Sequence, residues 1–283
     1  MAQPDFLSNS RVAILGLGLM GGSLALKLRG RCAQLLGCDT DPTTLALARQ
    51  QNLVDQLSDK PGDILPLSDL VILATPVRAI LSLLDDLPDL HPGSAAVLDL
   101  GSTKVQIIER MQVLPGRFDP LGGHPMCGKE RGGLENADPN LYQSAPFALT
   151  PLPRTSLRLR RLAEQLVRLV GARPLWMEAE THDRWVAATS HVPYLVANAL
   201  AAITPVETRP LVGPGLRSST RLAPSGWSMM RDILETNRPN ILAGLKRFRQ
   251  QIEDLENRLE TDDLAAVEQL TAQGARNYEA LVK

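Results

Sequence analysis

Three glycines near the N-terminus have the spacing of a phosphate-binding loop. In GLGLMGG, Gly16, Gly18 and Gly21 follow a short apolar run and precede a helix-like stretch. In that context the first glycine allows a tight turn, the second lets the backbone approach a diphosphate, and the third allows close packing of helix on strand. Leu19 and Met20 lie between the glycines and are also expected to contact the cofactor, and the exposed N–H groups of the helix that follows bind anions. The sequence therefore predicts a dinucleotide site rather than a glycine-rich turn that binds nothing.

Asp39 ends the second apolar run, at the distance from the glycines at which dinucleotide sites carry an acidic residue. A carboxylate there can accept hydrogen bonds from the ribose diol of the cofactor. It would repel a 2′-phosphate by about 4 kcal/mol, for unit charges about 4 Å apart at an effective dielectric of about 20. Asp41 adds negative charge, and no arginine or lysine follows before Arg49. We therefore predict NAD⁺ rather than NADP⁺.

Polar side chains lie at the ends of two later apolar runs and in a glycine-rich segment after them, and we expect all three groups at the sheet edge where ligands bind in such folds. Thr75 and Pro76 lie in ATP, Ser102 and Lys104 in DLGSTK, and His124 in the predicted loop PLGGHPMCGKERGG. Thr75 and Pro76 are expected on the nicotinamide side of the cofactor. Ser102 could instead cap a helix, and His124 could be a hydrogen-bonded histidine of a turn. Neither residue alone identifies a catalytic site.

The elements that would position these residues alternate along the chain. Apolar runs typical of buried parallel strands lie at 11–18, 33–39, 69–76 and 95–102, with further candidates at 146–151 and 173–178. Helix-like stretches lie at 21–29, 42–50, 77–84, 104–114 and 155–170. This order predicts an α/β fold with a doubly wound, Rossmann-type sheet over residues 1–178.

Residues 179–283 show no convincing strand pattern, which predicts an all-α domain. In NILAGLKRFRQQIEDLENRLE a stripe of apolar residues recurs at spacings of four and three: Ile241, Leu245, Phe248, Ile252, Leu255 and Leu259. Such a stripe faces another helix. We expect it to contribute to a homodimer, with an intramolecular helical hairpin as the alternative. Thr261 and Asp262 would cap a following helix that runs to Lys283.

Composition points to a cytoplasmic protein with a small-molecule substrate. The formal net charge of -1 gives no electrostatic reason to expect nucleic acid or an anionic membrane as a partner. Cys32, Cys38 and Cys127 have neither a disulfide nor a metal-site spacing, so we predict a reducing compartment and no metal. The N-terminus lacks a secretory signal pattern. No apolar run is expected to approach the roughly 20 residues that span a bilayer.

Five segments together resemble the prephenate/arogenate dehydrogenases of tyrosine biosynthesis: GLGLMGGS, DLGSTK, GGHPMCGKERGG, THDRWVAATSHVPYLVANAL and GLRSSTRLA. They cover most of the chain in the same order as in that family. The resemblance implies a Rossmann domain followed by an all-helical dimerisation domain. It also implies NAD(P)-dependent oxidative decarboxylation of arogenate to tyrosine, of prephenate to 4-hydroxyphenylpyruvate, or of both.

The resemblance assigns roles to particular residues. His124 matches the catalytic histidine and Ser102 its serine partner, which also contacts the cofactor. A neutral imidazole can take the proton of the ring hydroxyl. Arg221 matches the arginine that binds a substrate carboxylate, with Arg217 as the other possibility.

Three further positions concern the substrate. Glu130 falls where the family places a residue that influences substrate choice, and its carboxylate could pair with the ammonium of arogenate. Lys129 departs from the smaller residue expected there, and it could neutralise Glu130 or bind a substrate carboxylate itself. Ser190 and His191 match a motif within reach of the cleft.

Two other functions stay open at this point. A β-hydroxyacid dehydrogenase of the 6-phosphogluconate dehydrogenase type would need a lysine in a Gly-x-x-Gly-x-x-x-x-Lys context, which the sequence lacks. A non-catalytic NAD-sensing dimer would leave Ser102, His124 and Arg221 without a role.

Overall fold

The sheet of the molecule combines parallel and antiparallel strands. The computed structural model describes residues 6–129 and 131–282. Within these ranges the strands are β1 (Arg11–Leu15), β2 (Gln34–Cys38), β3 (Gln56–Ser58), β4 (Leu70–Leu73), β5 (Ala95–Asp99), β6 (Phe118–Pro125), β7 (Pro146–Pro151) and β8 (Arg173–Trp176). They form one sheet in the order β3-β2-β1-β4-β5-β6-β7-β8. Only the β6–β7 pair is antiparallel in this sheet.

Helices follow most of the strands, and the described elements after β8 are all helical. They are α1 (Leu19–Leu28), α2 (Pro42–Gln50), α3 (Pro61–Ile64), α4 (Val77–Leu90), α5 (Val105–Gln112), α6 (Leu157–Leu169), α7 (Ala179–Val186), α8 (Val192–Ile203), α9 (Pro214–Ser219), α10 (Trp227–Thr236), α11 (Arg238–Glu260) and α12 (Leu264–Val282). A π-helical segment, Ala187–His191, joins α7 to α8. The predicted fold class, a Rossmann-type sheet followed by helices, is confirmed.

The hydrophobic core has two parts, one on each face of the sheet. Val12 and Ile14 of β1 belong to a cluster with buried side chains of α1 and α6. Ala13 and Leu15 belong to a second cluster with buried side chains of α4 and α5. Alternate residues of one strand thus face opposite cores, which explains the continuous apolar runs in the sequence.

Strands β3 and β6 are absent from the sequence-based prediction. The prediction of a loop around His124 is wrong as far as Pro125, because these residues form β6. Its glycines suggest a loop, yet Gly123 is needed for packing: a Cβ there would lie 2.6 Å from the carbonyl oxygen of Asp99. His124 therefore extends from a strand, which fixes its backbone more firmly than a loop would.

The chain divides into two compact units, Met1–Asn237 and Arg238–Lys283. The first contains the sheet and the helices up to α10, and the second contains α11 and α12. The sequence-based boundary between the Rossmann domain and the all-α domain, between residues 178 and 179, differs from this division into compact units. That domain boundary stays a prediction. The cap of α12 lies one or two residues later than predicted, because Asp263, rather than Thr261 or Asp262, accepts a hydrogen bond from the Ala266 N–H at 3.0 Å.

One helical run, Ala179–Ile203, is long and apolar enough by length and composition to cross a membrane. The expectation that no run reaches this length is therefore wrong, since the polar residues within it obscure its overall apolar character. The finding is weak evidence for a membrane, because core helices of globular proteins pass the same test. Here His182, Asp183 and His191 are buried in the run.

A buried ion pair joins the end of β5 to the start of α5. Lys104 Nζ donates to Asp99 Oδ2, and both side chains are fully buried. Asp99 also accepts hydrogen bonds from the N–H groups of Gly101, at 2.8 Å, and Gly123, at 3.1 Å. Burial lowers the pKa of the Lys104 ammonium below its usual 10.5, and the negative charge of Asp99 opposes that change. The pair fixes β6 against β5.

Removing one partner of this pair should destabilise the protein. We expect Lys104→Met to lower the free energy of unfolding by about 3–5 kcal/mol, because Asp99 then stays buried without its counter-charge. Urea denaturation measures the loss, and Lys60→Met, at an exposed lysine, should stay within about 0.5 kcal/mol of wild type. Adding Asp99→Asn should recover part of the loss. Equal stability of Lys104→Met and the control would contradict this role.

Candidate active site

The glycines after β1 form a cradle at the N-terminus of α1. Gly16 has a φ of +92°, and a Cβ there would lie 2.7 Å from the carbonyl oxygen of Ala74. A Cβ on Gly21 would collide with the carbonyl oxygen of Gly16, whereas a Cβ on Gly18 would meet nothing within 4 Å. Gly18 is also the N-cap of α1, without a side-chain cap. Two glycines thus allow close packing, and the third borders open space, where the approach of a diphosphate stays a prediction.

Leu19 and Met20, also predicted to contact the cofactor, form the first turn of α1. Leu19 is buried and Met20 is partly exposed. The carbonyl oxygen of Met20 accepts a hydrogen bond from the Tyr142 hydroxyl at 2.6 Å. The segment that follows β6 is thereby tied to the helix that carries the cradle.

Asp39 supports the cradle from the end of β2. Its carboxylate accepts hydrogen bonds from the N–H groups of Leu17, at 2.7 Å, and Asp41, at 2.9 Å. Asp41 has a different task, since it caps α2 by accepting from Thr43 and Thr44. A carboxylate has about four acceptor sites. Asp39 is partly exposed, so it retains acceptor capacity for a ribose diol.

Thr75 and Pro76 follow β4 beside the cradle. Thr75 Oγ1 is buried without a hydrogen-bond partner among the described residues. Thr75 also packs against the cradle, because a Cβ on Gly16 would lie only 2.8 Å from Thr75 Cγ2. Most buried hydroxyls are hydrogen-bonded, but Thr150 Oγ1 also lacks a partner in the described chain, so the contact of Thr75 with the cofactor stays a prediction. Pro76 is exposed and precedes α4.

His124 lies near the end of β6 with one ring nitrogen engaged. Its side chain is partly exposed, and Nδ1 lies 2.8 Å from His182 Nε2. Nε2 makes no hydrogen bond with the described residues. Burial lowers the pKa of His124 well below its usual 6.5, as do the positive charges available on His182, Lys104 and His191. The imidazole is therefore neutral at ordinary pH and able to accept a proton.

His182 and Asp183 are polar neighbours of His124 that the sequence analysis missed. His182 Nδ1 lies 2.8 Å from Asp183 Oδ1. The Asp183 carboxylate also accepts hydrogen bonds from the N–H groups of Lys104, at 2.7 Å, and Val105, at 2.9 Å. The available signal was the adjacent His182 and Asp183 in THDRW, near the start of the long helical run Ala179–Ile203.

Ser102 lies between β5 and α5 and is partly exposed. The alternative that it caps α5 is wrong, because Asp183 binds the first N–H groups of that helix. The Ser102 hydroxyl makes no hydrogen bond with the described residues. It therefore stays available to a ligand.

His191 is buried on the π-helical segment, next to the exposed Ser190. Its Nδ1 lies 3.3 Å from Asn237 Nδ2, which also donates to the carbonyl oxygen of Asp183 at 2.7 Å. Burial lowers the pKa of His191 to about 4. His191 thus belongs to the same polar network as His182 and Asp183.

The predicted substrate-binding cations have different surroundings. Arg217 on α9 and Arg221 after it are exposed, and neither guanidinium forms an ion pair within the described ranges. Lys129 Nζ donates to the Asn136 carbonyl oxygen at 2.9 Å and pairs with Asp138 at 3.3 Å. Glu130 lies outside the described residues.

Metal ligation finds no support in the part of the chain that the structure describes. No group of three or more His, Cys, Asp or Glu side chains there could hold a metal ion. The predicted absence of a metal stays a prediction.

Comparison with known proteins places both halves of the chain in one family. Residues 23–175 match the family model described as prephenate dehydrogenase, nucleotide-binding domain, and residues 178–272 match its dimerization domain. A prephenate dehydrogenase of Bacillus subtilis (strain 168) is 31% identical over 89% of this chain and 71% of the relative.

Two solved structures resemble the whole chain. Prephenate dehydrogenase from A. aeolicus, in complex with hydroxyphenyl propionate and NAD⁺, has a TM-score of 0.86 at 29% identity, covering 97% of this chain and 99% of that one. Synechocystis arogenate dehydrogenase has a TM-score of 0.83 at 26% identity, covering 96% and 100%.

The different surroundings of the glycines give a test of the cradle. Gly18→Ala should leave the melting temperature of the cofactor-free protein within about 2 °C of wild type, because the methyl group enters open space. It should weaken cofactor binding at least about tenfold, since the diphosphate needs that space. Gly21→Ala should lower the melting temperature as well, because its methyl group meets backbone.

Differential scanning fluorimetry and calorimetric titration measure the two effects. Gly116→Ala is the matched control, because a Cβ there also meets nothing within 4 Å. Wild-type cofactor affinity in Gly18→Ala would argue against a diphosphate at this position.

Proposed function

The chain belongs to the prephenate/arogenate dehydrogenase family, and we propose that it oxidatively decarboxylates arogenate or prephenate with NAD⁺. The products would be tyrosine and 4-hydroxyphenylpyruvate. Family membership makes the chain an oxidoreductase with a nicotinamide cofactor. The observation that carries the finer proposal is the position of His124 near the end of β6, at the same sheet edge as the glycine cradle, with an Nε2 that has no partner in the described chain.

His124 would act as the base. Bound NAD⁺ would supply the acceptor for the hydride that leaves the ring carbon. His124 Nε2 accepts the proton of the hydroxyl on that carbon, and the Ser102 hydroxyl orients the same oxygen from a second side. Loss of the ring carboxylate as CO₂ sends its bonding electrons through the ring to the same oxygen, which takes the proton back from His124, and aromatisation drives this step. The residues therefore contribute mainly positioning and electrostatics.

Substrate carboxylates would be bound by an arginine. We assign this role to Arg221, with Arg217 as the alternative, because both guanidinium groups are exposed and without an ion pair in the described chain. A guanidinium can bind a carboxylate through two charge-assisted hydrogen bonds. His191 would border the same cleft.

The choice between substrates would depend on the segment after β6. Arogenate carries an ammonium where prephenate carries a keto group, and the Glu130 carboxylate would favour the ammonium. Lys129 is paired with Asp138, which reduces its ability to neutralise Glu130 or to bind a substrate carboxylate. Both substrates remain in the proposal.

We also infer a homodimer through the helical region. Support comes from the match of residues 178–272 to a dimerization domain and from large apolar side chains that are exposed in the single chain: Trp185, Ile203, Val206, Leu211 and Trp227. Phe248, Ile252 and Leu259 of the predicted stripe on α11 are exposed as well. Large aromatic side chains are enriched at protein–protein interfaces.

Replacing the proposed base tests the function directly. His124→Asn should lower kcat by about 10²–10⁴ while the Kd for NAD⁺ stays unchanged. NADH formation is measured with prephenate and with arogenate. Protonation of His124 should lower kcat/KM of the wild type at acid pH. We expect this fall only well below pH 6.5, because the pKa of this histidine is lowered.

The outcomes separate the proposals. Near-wild-type turnover in His124→Asn would remove the residue from this role. Tight NAD⁺ binding by the wild type without turnover of either substrate would favour the NAD-sensing dimer. The β-hydroxyacid dehydrogenase alternative is not favoured by the family match.

Two neighbouring aspartates give a matched test of cofactor choice. Asp39→Asn removes the charge proposed to face the ribose and keeps one backbone acceptor. It should raise kcat/KM for NADP⁺ relative to NAD⁺ by about ten- to a thousandfold, the upper end corresponding to the charge repulsion of about 4 kcal/mol. Asp41→Asn removes equal charge from the cap of α2 and should change the ratio far less. Comparable wild-type kcat/KM values with both cofactors would refute the NAD⁺ preference.

A further inference from the structure

Three side chains form a hydrogen-bonded chain that leads inward from His124. His124 Nδ1 lies 2.8 Å from His182 Nε2, and His182 Nδ1 lies 2.8 Å from Asp183 Oδ1. The two imidazole rings meet edge to face, with centroids 5.0 Å apart and an interplanar angle of 67°. His182 and Asp183 are fully buried, so water does not interrupt the chain.

The Asp183 carboxylate determines which atoms carry protons. Both of its oxygens accept backbone N–H groups, from Lys104 at 2.7 Å and Val105 at 2.9 Å. These N–H groups belong to the positive end of α5, which stabilises the anion. An ionised carboxylate only accepts hydrogen bonds, so His182 Nδ1 must be the donor to Oδ1.

The proton positions then follow ring by ring. A neutral His182 that is protonated on Nδ1 has a bare Nε2, which can only accept. His124 must therefore donate from Nδ1. A neutral His124 that is protonated on Nδ1 has a bare Nε2, and this nitrogen has no partner in the described chain.

We propose that Asp183 and His182 are positioning residues that hold His124 in the Nδ1–H tautomer and take over its positive charge during the reaction. As Nε2 accepts the substrate hydroxyl proton, the Nδ1 proton passes to His182 Nε2. His124 then is neutral with its proton on Nε2, and His182 is an imidazolium beside the Asp183 carboxylate. The charge transfer rests on the proposed function, whereas the tautomer does not.

Electrostatics around His124 give a reason for moving the charge. Burial, foremost, and the neighbouring His182 and Lys104 disfavour a cation there, so the pKa of His124 is lowered. The Asp99 carboxylate is engaged by Lys104 Nζ and two backbone N–H groups. His182 contacts the Asp183 carboxylate directly. A positive charge on His182 is therefore compensated by this carboxylate, whereas a positive charge on His124 has no carboxylate in contact with it in the described chain.

The first experiment measures the tautomer without substrate or cofactor. Long-range ¹⁵N–¹H spectra report which ring nitrogen of a histidine is protonated, and the chain has four histidines to assign. We expect His124 to be protonated on Nδ1 and bare on Nε2 at neutral pH, and His182 to show the same pattern. A His124 that carries its proton on Nε2 in the wild type would overturn the proposal.

The second experiment uses a matched pair of variants at His182. His182→Gln and His182→Met have side chains of similar length, but only glutamine offers an oxygen that can accept from His124 Nδ1. Glutamine should preserve the tautomer without accepting the proton, and methionine should do neither. We expect kcat to fall in the order wild type, His182→Gln, His182→Met, by about 10- to 10⁴-fold in the last. The KM for substrate and the Kd for NAD⁺ should change little.

The outcomes distinguish the proposed proton transfer from His124 to His182, called the relay below, from a packing role of His182. They also distinguish it from the proposed function. Equal losses in both variants with an unchanged His124 tautomer would make His182 a packing residue and overturn the relay. If the wild type turns over neither prephenate nor arogenate, the proposed function fails, and the wild-type tautomer still decides the proton arrangement. The same spectra decide it if a variant does not fold.

Discussion

The first N–H groups of a helix have no partner within the helix, and this constraint organises the edge of the sheet where the candidate site lies. At α4 the Arg78 N–H donates to Asp232 at 3.1 Å, and at α5 the Lys104 and Val105 N–H groups donate to Asp183. Both carboxylates come from helices far along the chain. The N-terminus of α1, at Gly18, receives no side-chain cap. This open helix end is the one that we propose for the diphosphate of a cofactor.

Buried charge then fixes the candidate catalytic residues relative to each other. The Asp99–Lys104 pair is fully buried, and Asp99 also binds the N–H groups of Gly101 and Gly123. Ser102 follows the first glycine and His124 follows the second. A buried ion pair needs good geometry to offset desolvation, so this one constrains both neighbouring backbones. The hydroxyl and the imidazole are thus held by one cluster rather than by two independent loops.

Local signals in the sequence were sufficient for part of this arrangement. The bounds of α2 match the prediction, because Asp41 caps the helix within its own segment. The glycine spacing also predicted the close packing at Gly16 and Gly21, since both contacts are local to β1, α1 and the end of β4. Strand β6 was missed because Gly123 is a packing requirement of β5, not a turn signal. Ser102 resembled a helix cap because the real cap, Asp183, lies 78 residues from Val105.

The backbone between α7 and α8 shows why the rest of the network could not be predicted. Each residue of an α-helix advances about 100°, so residues nine positions apart, such as His182 and His191, would lie on opposite faces. Both are buried, and Asn237 links His191 to the carbonyl oxygen of Asp183. The π-helical segment Ala187–His191 is wider and advances less per residue, which turns His191 towards the face of the helix that carries His182. Helical periodicity in the sequence assumes a regular helix, and the contact of His191 with Asn237 is made from the irregular one.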